Sequence, residues 1–242
     1  LYSAQIIPNR GAWLEYETDS NNIIWVRLDR ARKLCLTVLL RALGYESDAE
    51  IVELLGDDKR LAATLARDNT IDEAAKAHGT TRRPREQALL EIYKKQKPGE
   101  PESVESATNL FNSLFFDPKR YDVMRVGRYK FNKKCALGKR IAGHTLARTV
   151  VNPLTGELLF EEGKYLSYDE AMVIENSGAN EVYLRLDNGT EVKVLGNNTA
   201  FPEAVFGYSL KDCGVNEKAS IAVLRELLEQ YGDDKEAYQN AM

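Results

Sequence analysis

The pattern of apolar residues changes near Gly138, and this change limits what the chain can fold into. Before it, apolar residues recur at helical spacing in several segments, whereas after it short strand-like runs alternate with turn residues. The strongest turn signal is Asp187-Asn188-Gly189-Thr190, which lies between the alternating runs Val182–Leu186 and Glu191–Leu195 and predicts a β-hairpin. The sequence therefore predicts a mixed α+β fold.

Individual elements follow from local signals. Ser47 with Glu50 three residues later forms a capping box, which predicts a helix that ends at Gly56. The other helices predicted from apolar spacing are 36–43, 61–77 with an interruption at Asn69-Thr70, 86–96, 104–116, 167–177 and 216–231. The predicted strands are 4–8, 13–17, 23–28, 141–146, 156–160 and 181–186.

The domain organisation follows from this division. We expect a mixed helical and strand domain over residues 1–140, a β-rich module over 141–200, and an acidic helical segment over 201–242. The chain starts at Leu1, in what reads at once as strand, so we expect it to be a piece of a longer protein. The residues from Leu1 to Arg10 lack the basic start and apolar stretch of a signal peptide, and no run approaches about 20 apolar residues, so we expect no membrane contact.

The cysteines and histidines exclude several kinds of site. Cys35, Cys135 and Cys213 are odd in number and far apart, which excludes a disulfide framework and CxxC-type metal sites and fits a reducing cytoplasm. His78 and His144 have no acidic or cysteine partner at ligand spacing. We therefore expect no metal site.

The acidic, nucleotide-binding and nucleophile motifs also bear on whether the chain carries a catalytic site. Gly56-Asp57-Asp58 and Gly232-Asp233-Asp234 follow helices, and we interpret them as turn residues rather than metal ligands. The chain contains no phosphate-binding GxxxxGK[ST] motif and no nucleophile elbow. We expect no catalytic residue.

Charge is distributed unevenly. The formal net charge is −4, yet ten Lys or Arg residues and one acid lie between Lys119 and Arg148. A second basic cluster comprises Arg27, Arg30, Arg32, Lys33 and Arg41. A basic face on an acidic chain is typical of proteins that contact a phosphate backbone, although a solvated charged surface has the same composition. Charge alone leaves both interpretations open.

Long strings of residues resemble one protein family in the same order. These strings are Ala4–Glu15, Val26–Leu34, Glu91–Tyr93, Lys97–Pro101, Leu114–Phe116, Arg120–Asp122 and Val126–Asn132. They are similar to the lobe region of the β subunit of bacterial DNA-directed RNA polymerase. The β-rich module resembles the sandwich–barrel hybrid insertions that some bacteria carry at this place. The resemblance thus implies an α+β lobe with such an insertion and a C-terminal helix.

The resemblance implies contact with DNA. In this family the lobe is a wall of the DNA channel, facing downstream duplex and the non-template strand. The residue matching Trp13 can stack on a non-template base, with Asp29 and Arg30 nearby; a core aromatic at a strand start is the alternative for Trp13. The channel's positive field would come from Arg120, Arg125, Arg128, Lys130, Lys133 and Lys134. Tyr129 and Phe131, between these cations, are expected to be core or stacking residues, and we favour the core for both.

The resemblance also implies partners. Lys97, Pro98, Gly99, Glu100 and Pro101 match the gate loop, which contacts elongation factors of the NusG class; a plain helix–helix connector is the alternative. The other partners would be the β′, α and σ subunits. Nucleotidyl transfer would belong to the whole enzyme, whose Mg²⁺ is bound elsewhere, so no cofactor is expected in this chain. Two further hypotheses are a free-standing nucleic-acid-binding module and a protein-interaction scaffold, which salt-dependent DNA binding would separate.

Overall fold

The chain divides into two compact units. The computed structural model describes residues 1–76, 82–121, 124–232 and 234. The units are Leu1–Val123 and Met124–Met242. Both contain helices and small antiparallel sheets, so the predicted α+β fold is confirmed. The boundary expected between residues 140 and 141 stays a prediction; Leu137, which precedes it, packs in the same core cluster as Leu146.

A four-stranded antiparallel sheet forms one side of the first unit. Asp19 fixes the turn before its third strand, since one carboxylate oxygen accepts the backbone N–H groups of Asn21 and Ile23, both at 2.9 Å. Val26 and Leu28 alternate toward the core, which confirms the expected strand pattern. The strands, in spatial order, are β1 (Ser3–Ile6), β2 (Leu14–Thr18), β3 (Ile24–Leu28) and β4 (Leu34–Cys35).

The helices of the first unit start and end at local signals. The predicted capping box of Ser47 and Glu50 is present, and Gly44 ends the first helix in a left-handed conformation with φ of 119°. The apolar faces pack with the sheet around a core that includes Leu39, Ile92 and Phe111. The described helices are α1 (Leu36–Leu43), α2 (Asp48–Leu55), α3 (Lys59–Arg67), α4 (Thr70–Ala75), α5 (Pro84–Gln96) and α6 (Val104–Phe115).

Arg41 lies inside the first unit, so its assignment to the basic surface cluster is wrong. Its side chain is 1% exposed, and its Nε donates to Asp68, also 1% exposed, at 2.9 Å. A second nitrogen donates to Asp48. Burial acts to raise the pKa of Asp68, but hydrogen bonds from Thr70 and Arg41 outweigh it and lower that pKa. A buried guanidinium requires such partners, because an unpaired charge there is costly.

The second unit is built from short elements. Its described residues form three small sheets, with the orders β5-β8-β9, β6-β7 and β10-β11. The elements are α7 (Arg125–Cys135), α8 (Gly138–Ile141), β5 (Thr145–Leu146), β6 (Val150–Val151), β7 (Leu158–Phe160), α9 (Tyr168–Asn176), β8 (Glu181–Arg185), β9 (Glu191–Leu195), β10 (Thr199–Ala200), α10 (Pro202–Phe206), β11 (Ala219–Ser220) and α11 (Ile221–Tyr231). The β8–β9 hairpin confirms the strongest turn prediction.

A buried carboxylate joins three segments of the second unit. Glu175 of α9 accepts the backbone N–H of Gly138 at 2.6 Å and forms an ion pair with Lys218. A Cβ at Gly138 would lie 2.8 Å from a Glu175 carboxylate oxygen and 2.9 Å from the Met172 sulfur, so both side chains would have to shift to make room for it. The start of α8 and the segment before α11 are thus held to the same helix.

Two predicted elements of the second unit begin four or more residues later than expected. The expected strand 141–146 is only Thr145–Leu146, because Ile141 is the last residue of α8 and packs in the core together with Leu137, which immediately precedes that helix. The helix expected from residue 216 begins at Ile221, because Ala219–Ser220 pair with β10 instead. No helix in the described part of the chain is long and apolar enough to cross a membrane.

Removing Arg41 should destabilise the first unit. Arg41→Ala leaves the Asp68 carboxylate buried without its cation, and we expect a loss of about 3–5 kcal/mol in the free energy of unfolding. The control is Arg27→Ala, whose surface pair with Glu17 spans 3.6 Å, and we expect a loss below about 1 kcal/mol. Both tryptophans, Trp13 and Trp25, lie in the first unit, so urea unfolding followed by tryptophan fluorescence measures this unit. Equal losses for the two variants would contradict the prediction.

Candidate nucleic-acid interface

Trp13 and Asp29 are joined by two reciprocal hydrogen bonds. One Asp29 carboxylate oxygen accepts the backbone N–H of Trp13 at 2.6 Å, and the Asp29 N–H donates to the Trp13 carbonyl oxygen at 2.8 Å. Asp29 has a left-handed backbone with φ of 49°, at the point where the chain leaves β3. An aspartate side chain is suited to such a position because it bonds to nearby backbone groups. These contacts fix the backbone of Trp13 beside the end of β3.

The Trp13 indole is exposed to solvent. Its residue is 47% exposed, so the alternative that made it a core aromatic is wrong. Arg30, which follows Asp29, is also exposed. The structure therefore brings together Trp13, Asp29 and Arg30, an exposed ring and a cation of the kind that contact bases and phosphates.

Arg120 lies beside the segment that leads to Trp13. Its Nε donates to the carbonyl oxygen of Ser113 in α6. A Cβ on Gly11, two residues before Trp13, would lie 3.8 Å from the Arg120 Cδ. Arg120 therefore joins Trp13, Asp29 and Arg30 in the first unit, and the other predicted cations belong to the second.

The predicted gate loop is an exposed turn attached to the end of α5. Gly99 has a positive φ of 88°, which a glycine adopts without strain. The Tyr93 hydroxyl donates to Glu100 at 2.9 Å, and the Lys97 ammonium lies 3.4 Å from the same carboxylate. The hydrogen bond from Tyr93 and the charge of Lys97 hold the pKa of Glu100 below its usual value. These contacts hold the turn in a defined shape although Lys97–Pro101 are all exposed.

The end of α5 is also bound to the Trp13 region. The Gln96 amide donates to the carbonyl oxygen of Leu28 at 2.8 Å, and Leu28 directly precedes Asp29. Gln96 in turn precedes Lys97, the first residue of the gate loop. The gate loop and the Trp13 region therefore start from adjacent points of the first unit.

The remaining predicted DNA-binding residues lie on α7 of the second unit. This helix carries Arg125, Arg128, Lys130, Lys133 and Lys134 and contains no acidic residue. None of its residues is buried. Lys133 and Lys134 occupy the last turn, where cations are favoured by the helix dipole. The helix presents a concentrated positive charge to solvent.

The aromatic residues of α7 are not core residues. Tyr129 is 63% exposed and Phe131 is 56% exposed, so the expectation that both are buried is wrong. Apolar residues between cations suggested a core stripe, but the surrounding helix packs none of its side chains into the core clusters. Tyr129 instead has the Lys133 ammonium 6.0 Å from its ring centre.

Two of the α7 arginines are bound to a carboxylate distant in sequence. Arg128 donates to both oxygens of Glu217, at 2.8 and 3.2 Å. The Arg125 guanidinium lies 3.6 Å from Glu217. The Arg128 hydrogen bond, followed by the charges of Arg128 and Arg125, lowers the pKa of Glu217. Glu217 could not be identified from the sequence, since nothing local marks a partner 89 residues from Arg128.

The described residues hold no cluster for a metal ion. No group of three or more His, Cys, Asp or Glu side chains there is arranged to bind one. Asp58 caps α3 by accepting the N–H of Arg60 at 2.8 Å, as expected of a residue in a turn. Burial raises the pKa of the Cys35 thiol to about 11. His78 and Asp233 lie outside the described residues.

A known protein family matches the part of the chain that carries most of these residues. The family described as RNA polymerase Rpb2, domain 2, matches residues 1–145, which include Trp13, Asp29, the gate loop and α7. The chain belongs to this family. The match ends at β5, so most of the second unit lies beyond it.

Curated relatives extend the similarity across nearly the whole chain. The DNA-directed RNA polymerase subunit beta of Clostridium botulinum (strain Loch Maree) is 50% identical over 235 residues, which is 97% of this chain and 18% of the relative. The subunit from Clostridioides difficile (strain 630) is 50% identical over 236 residues, 98% of this chain and 18% of the relative. The chain thus spans under a fifth of these relatives. The resemblance to the bacterial β subunit is confirmed.

Stability should distinguish the exposed Trp13 from core residues of the same unit. We expect Trp13→Ala to lower the free energy of unfolding of the first unit by less than about 1 kcal/mol, as for an exposed side chain. Leu28→Ala, at a residue only 1% exposed, should cost about 2–5 kcal/mol. Urea unfolding followed by the fluorescence of Trp25 compares both variants with a Trp13→Phe reference. A loss for Trp13→Ala as large as for Leu28→Ala would contradict the exposed placement.

Proposed function

We propose that this chain acts as the lobe region of a DNA-directed RNA polymerase β subunit and contacts the non-template strand and downstream DNA. The observation that carries the proposal is the exposed Trp13 held by Asp29 beside Arg30, in a chain of this family. An indole ring fixed at the surface offers a face on which any base can stack. The exposed Arg30 next to Asp29 offers a guanidinium that suits the phosphate that accompanies the base.

The basic helix α7 supports the same proposal. Its exposed Lys130 and Lys134 provide positive charge without a nearby acid on the helix. Such charge attracts nucleic acid regardless of sequence, through the release of counterions from phosphates. We therefore assign Arg120, Arg125, Arg128, Lys130, Lys133 and Lys134 to phosphate contacts, as a set separate from the base contact at Trp13.

The gate loop is proposed as a contact for transcription factors. Its turn is exposed and is held in shape by Tyr93 and Lys97 through Glu100. A preformed turn binds a partner at a lower entropic cost than a flexible one. We propose elongation factors of the NusG class as its partners, and the β′, α and σ subunits as the other components of the assembly.

Catalysis is proposed to reside elsewhere in the assembly. The nucleotidyl transfer would be the work of the whole polymerase, with Mg²⁺ held outside this chain and no cofactor within it. The chain would then contribute binding and channel shape in the cytoplasm, and no residue of its own would touch the reacting atoms.

The contrast between Trp13 and Arg30 tests the proposal in the assembled polymerase. Trp13→Ala should remove one stacking contact and weaken binding at a single non-template position by about 1–3 kcal/mol. Arg30→Ala should weaken binding at all sequences and reduce the salt dependence by about 0.7 for one lost single-strand phosphate contact. The measurement is the lifetime of the open complex on templates that differ at one non-template base, at several salt concentrations.

Matched surface changes serve as controls. Tyr165→Ala removes an aromatic residue that is 63% exposed, and Arg225→Ala removes an exposed cation on α11. Both should leave the open-complex lifetime unchanged. If Trp13→Ala shortens the lifetime no more than Tyr165→Ala does, the stacking role is wrong.

The chain alone should not synthesise RNA. Two-metal nucleotidyl transfer needs a carboxylate cluster, and the described residues contain none that could hold a metal ion. Incubation of the chain with template, nucleotides and Mg²⁺ or Mn²⁺ should give no labelled product. Template-dependent incorporation that persists in an Asp57→Ala/Asp58→Ala variant would show that the chain has chemistry of its own.

A further inference from the structure

A cavity of about 310 Å³ opens in the second unit between α7 and the segment before α11. Its walls are formed by Arg125, Tyr129 and Asn132 on α7, with Phe201, Glu217 and Lys218 among the residues opposite. Its volume lies at the lower end of the range of about 300–1,000 Å³ typical of small-ligand sites. The cavity is large enough for a small ligand. Its aromatic and amide side chains suit a flat group, and its cationic side chains suit an anionic group.

The anionic position of the cavity is occupied by a side chain of the protein itself. Arg128 binds both oxygens of Glu217, at 2.8 and 3.2 Å, and Arg125 approaches the same carboxylate at 3.6 Å. The fork of a guanidinium binds the oxygens of a phosphate with the same geometry as those of a carboxylate. Glu217 therefore stands where a phosphate of a ligand would be bound.

The other groups of the cavity suit a base. Tyr129 is 63% exposed, so its ring is accessible to a flat ligand. The side-chain amide oxygen of Asn132 accepts a hydrogen bond from the side-chain amide of Asn197 at 3.2 Å, so an amide edge is held in place at the wall. Aromatic rings together with amide groups are what proteins use to bind unpaired bases.

Lys218 adds a fixed positive charge at the opposite wall. Its ammonium is paired with the buried Glu175 and lies 5.2 Å from the centre of the Phe201 ring. Its side chain is 12% exposed, so its position is set by the fold rather than by solvent. Among the charged residues that line the cavity, Arg125 and Lys218 outnumber Glu217, which favours an anion.

We propose that this cavity binds one nucleotide of a single nucleic-acid strand, whose phosphate replaces the Glu217 carboxylate at Arg128 and Arg125 and whose base packs on Tyr129. The proposal rests on the proposed function, because the strand would be one that the assembly already holds. Glu217 competes with the phosphate for the two arginines. Binding then exchanges one anion for another, and a strand delivered at high local concentration is favoured over a free nucleotide.

Strand binding to the 242-residue chain tests this proposal. The probe is a fluorescein-labelled 12-nucleotide oligothymidylate, titrated at low salt and followed by fluorescence anisotropy. Tyr129→Ala should weaken binding about five-fold or more, which corresponds to the lower limit of about 1 kcal/mol for stacking. Glu217→Gln should strengthen binding, because the competing charge is removed while the size of the side chain is kept. Melting temperatures should change little, since Tyr129 is exposed and the Glu217 pairs lie at the surface.

A charge-matched control separates competition from net charge. Glu229→Gln makes the same charge change at an exposed position of α11. Its effect on affinity should be smaller than that of Glu217→Gln. Equal effects of the two variants would overturn the competition by Glu217.

A second control separates this inference from the proposed function. Lys130→Ala/Lys134→Ala removes charge from α7 at residues that do not line the cavity. If this variant weakens binding while Tyr129→Ala and Glu217→Gln do not change it, the cavity inference is wrong and the phosphate role of α7 stands. If no variant on α7 changes the binding, both are wrong.

Photo-crosslinking locates the strand directly. The same oligonucleotide with 5-iodouracil should crosslink to Tyr129, as identified by mass spectrometry of the tryptic peptides, and Glu217→Gln should increase the yield. Crosslinks confined to the first unit would overturn the inference. Loss of the Tyr129 crosslink on addition of thymidine monophosphate at the concentration of the strand would instead assign the cavity to a free nucleotide.

Discussion

The buried Glu175 carboxylate organises the second unit, and the cavity depends on it. Its two oxygens hold the backbone of Gly138 and the ammonium of Lys218, which belong to segments on either side of α9 in the sequence. A buried carboxylate is stable only when it is paired and hydrogen-bonded, so its burial fixes both partners. Gly138 follows α7 by a few residues, and Lys218 follows Glu217 directly. The carboxylate that binds Arg128 is therefore positioned next to a residue anchored in the core.

The first unit uses a different device to present its candidate contact residues. Asp29 fixes the backbone of Trp13 by two hydrogen bonds while the indole remains exposed. Gln96 joins the end of β3 to the end of α5, from which the gate loop starts. Because the backbone of Trp13 is already fixed, its ordering adds no cost when the indole binds a base. The proposed base contact at Trp13, the phosphate contact at Arg30 and the factor contact at the gate loop therefore all lie in the first unit, near the end of β3 and the end of α5.

Much of the fold could be predicted from local sequence signals. The capping box at Ser47, the end of α1 at Gly44 and the hairpin at Asp187–Thr190 depend on residues only a few positions apart, and all three are present. The elements that were misjudged depend on distant partners. Ala219–Ser220 pair with Thr199–Ala200, and Ile141, the last residue of α8, packs in a core cluster with Leu166 and Ile174 from later in the chain. Hydrophobic pattern alone does not determine which of two short segments pairs and which turns inward.

By itself the sequence determined the α+β class, most helix ends and the family, since its ordered strings are specific and the family match covers residues 1–145. Only the tertiary structure decided which charged and aromatic residues face solvent. Arg41 is buried against Asp68, 27 residues away, whereas Trp13, Tyr129 and Phe131 are exposed. Arg128 binds Glu217 across 89 residues. The physical reason is that burial and charge pairing depend on contacts between distant segments, which form only when the chain has folded, whereas caps and turns act within a few residues.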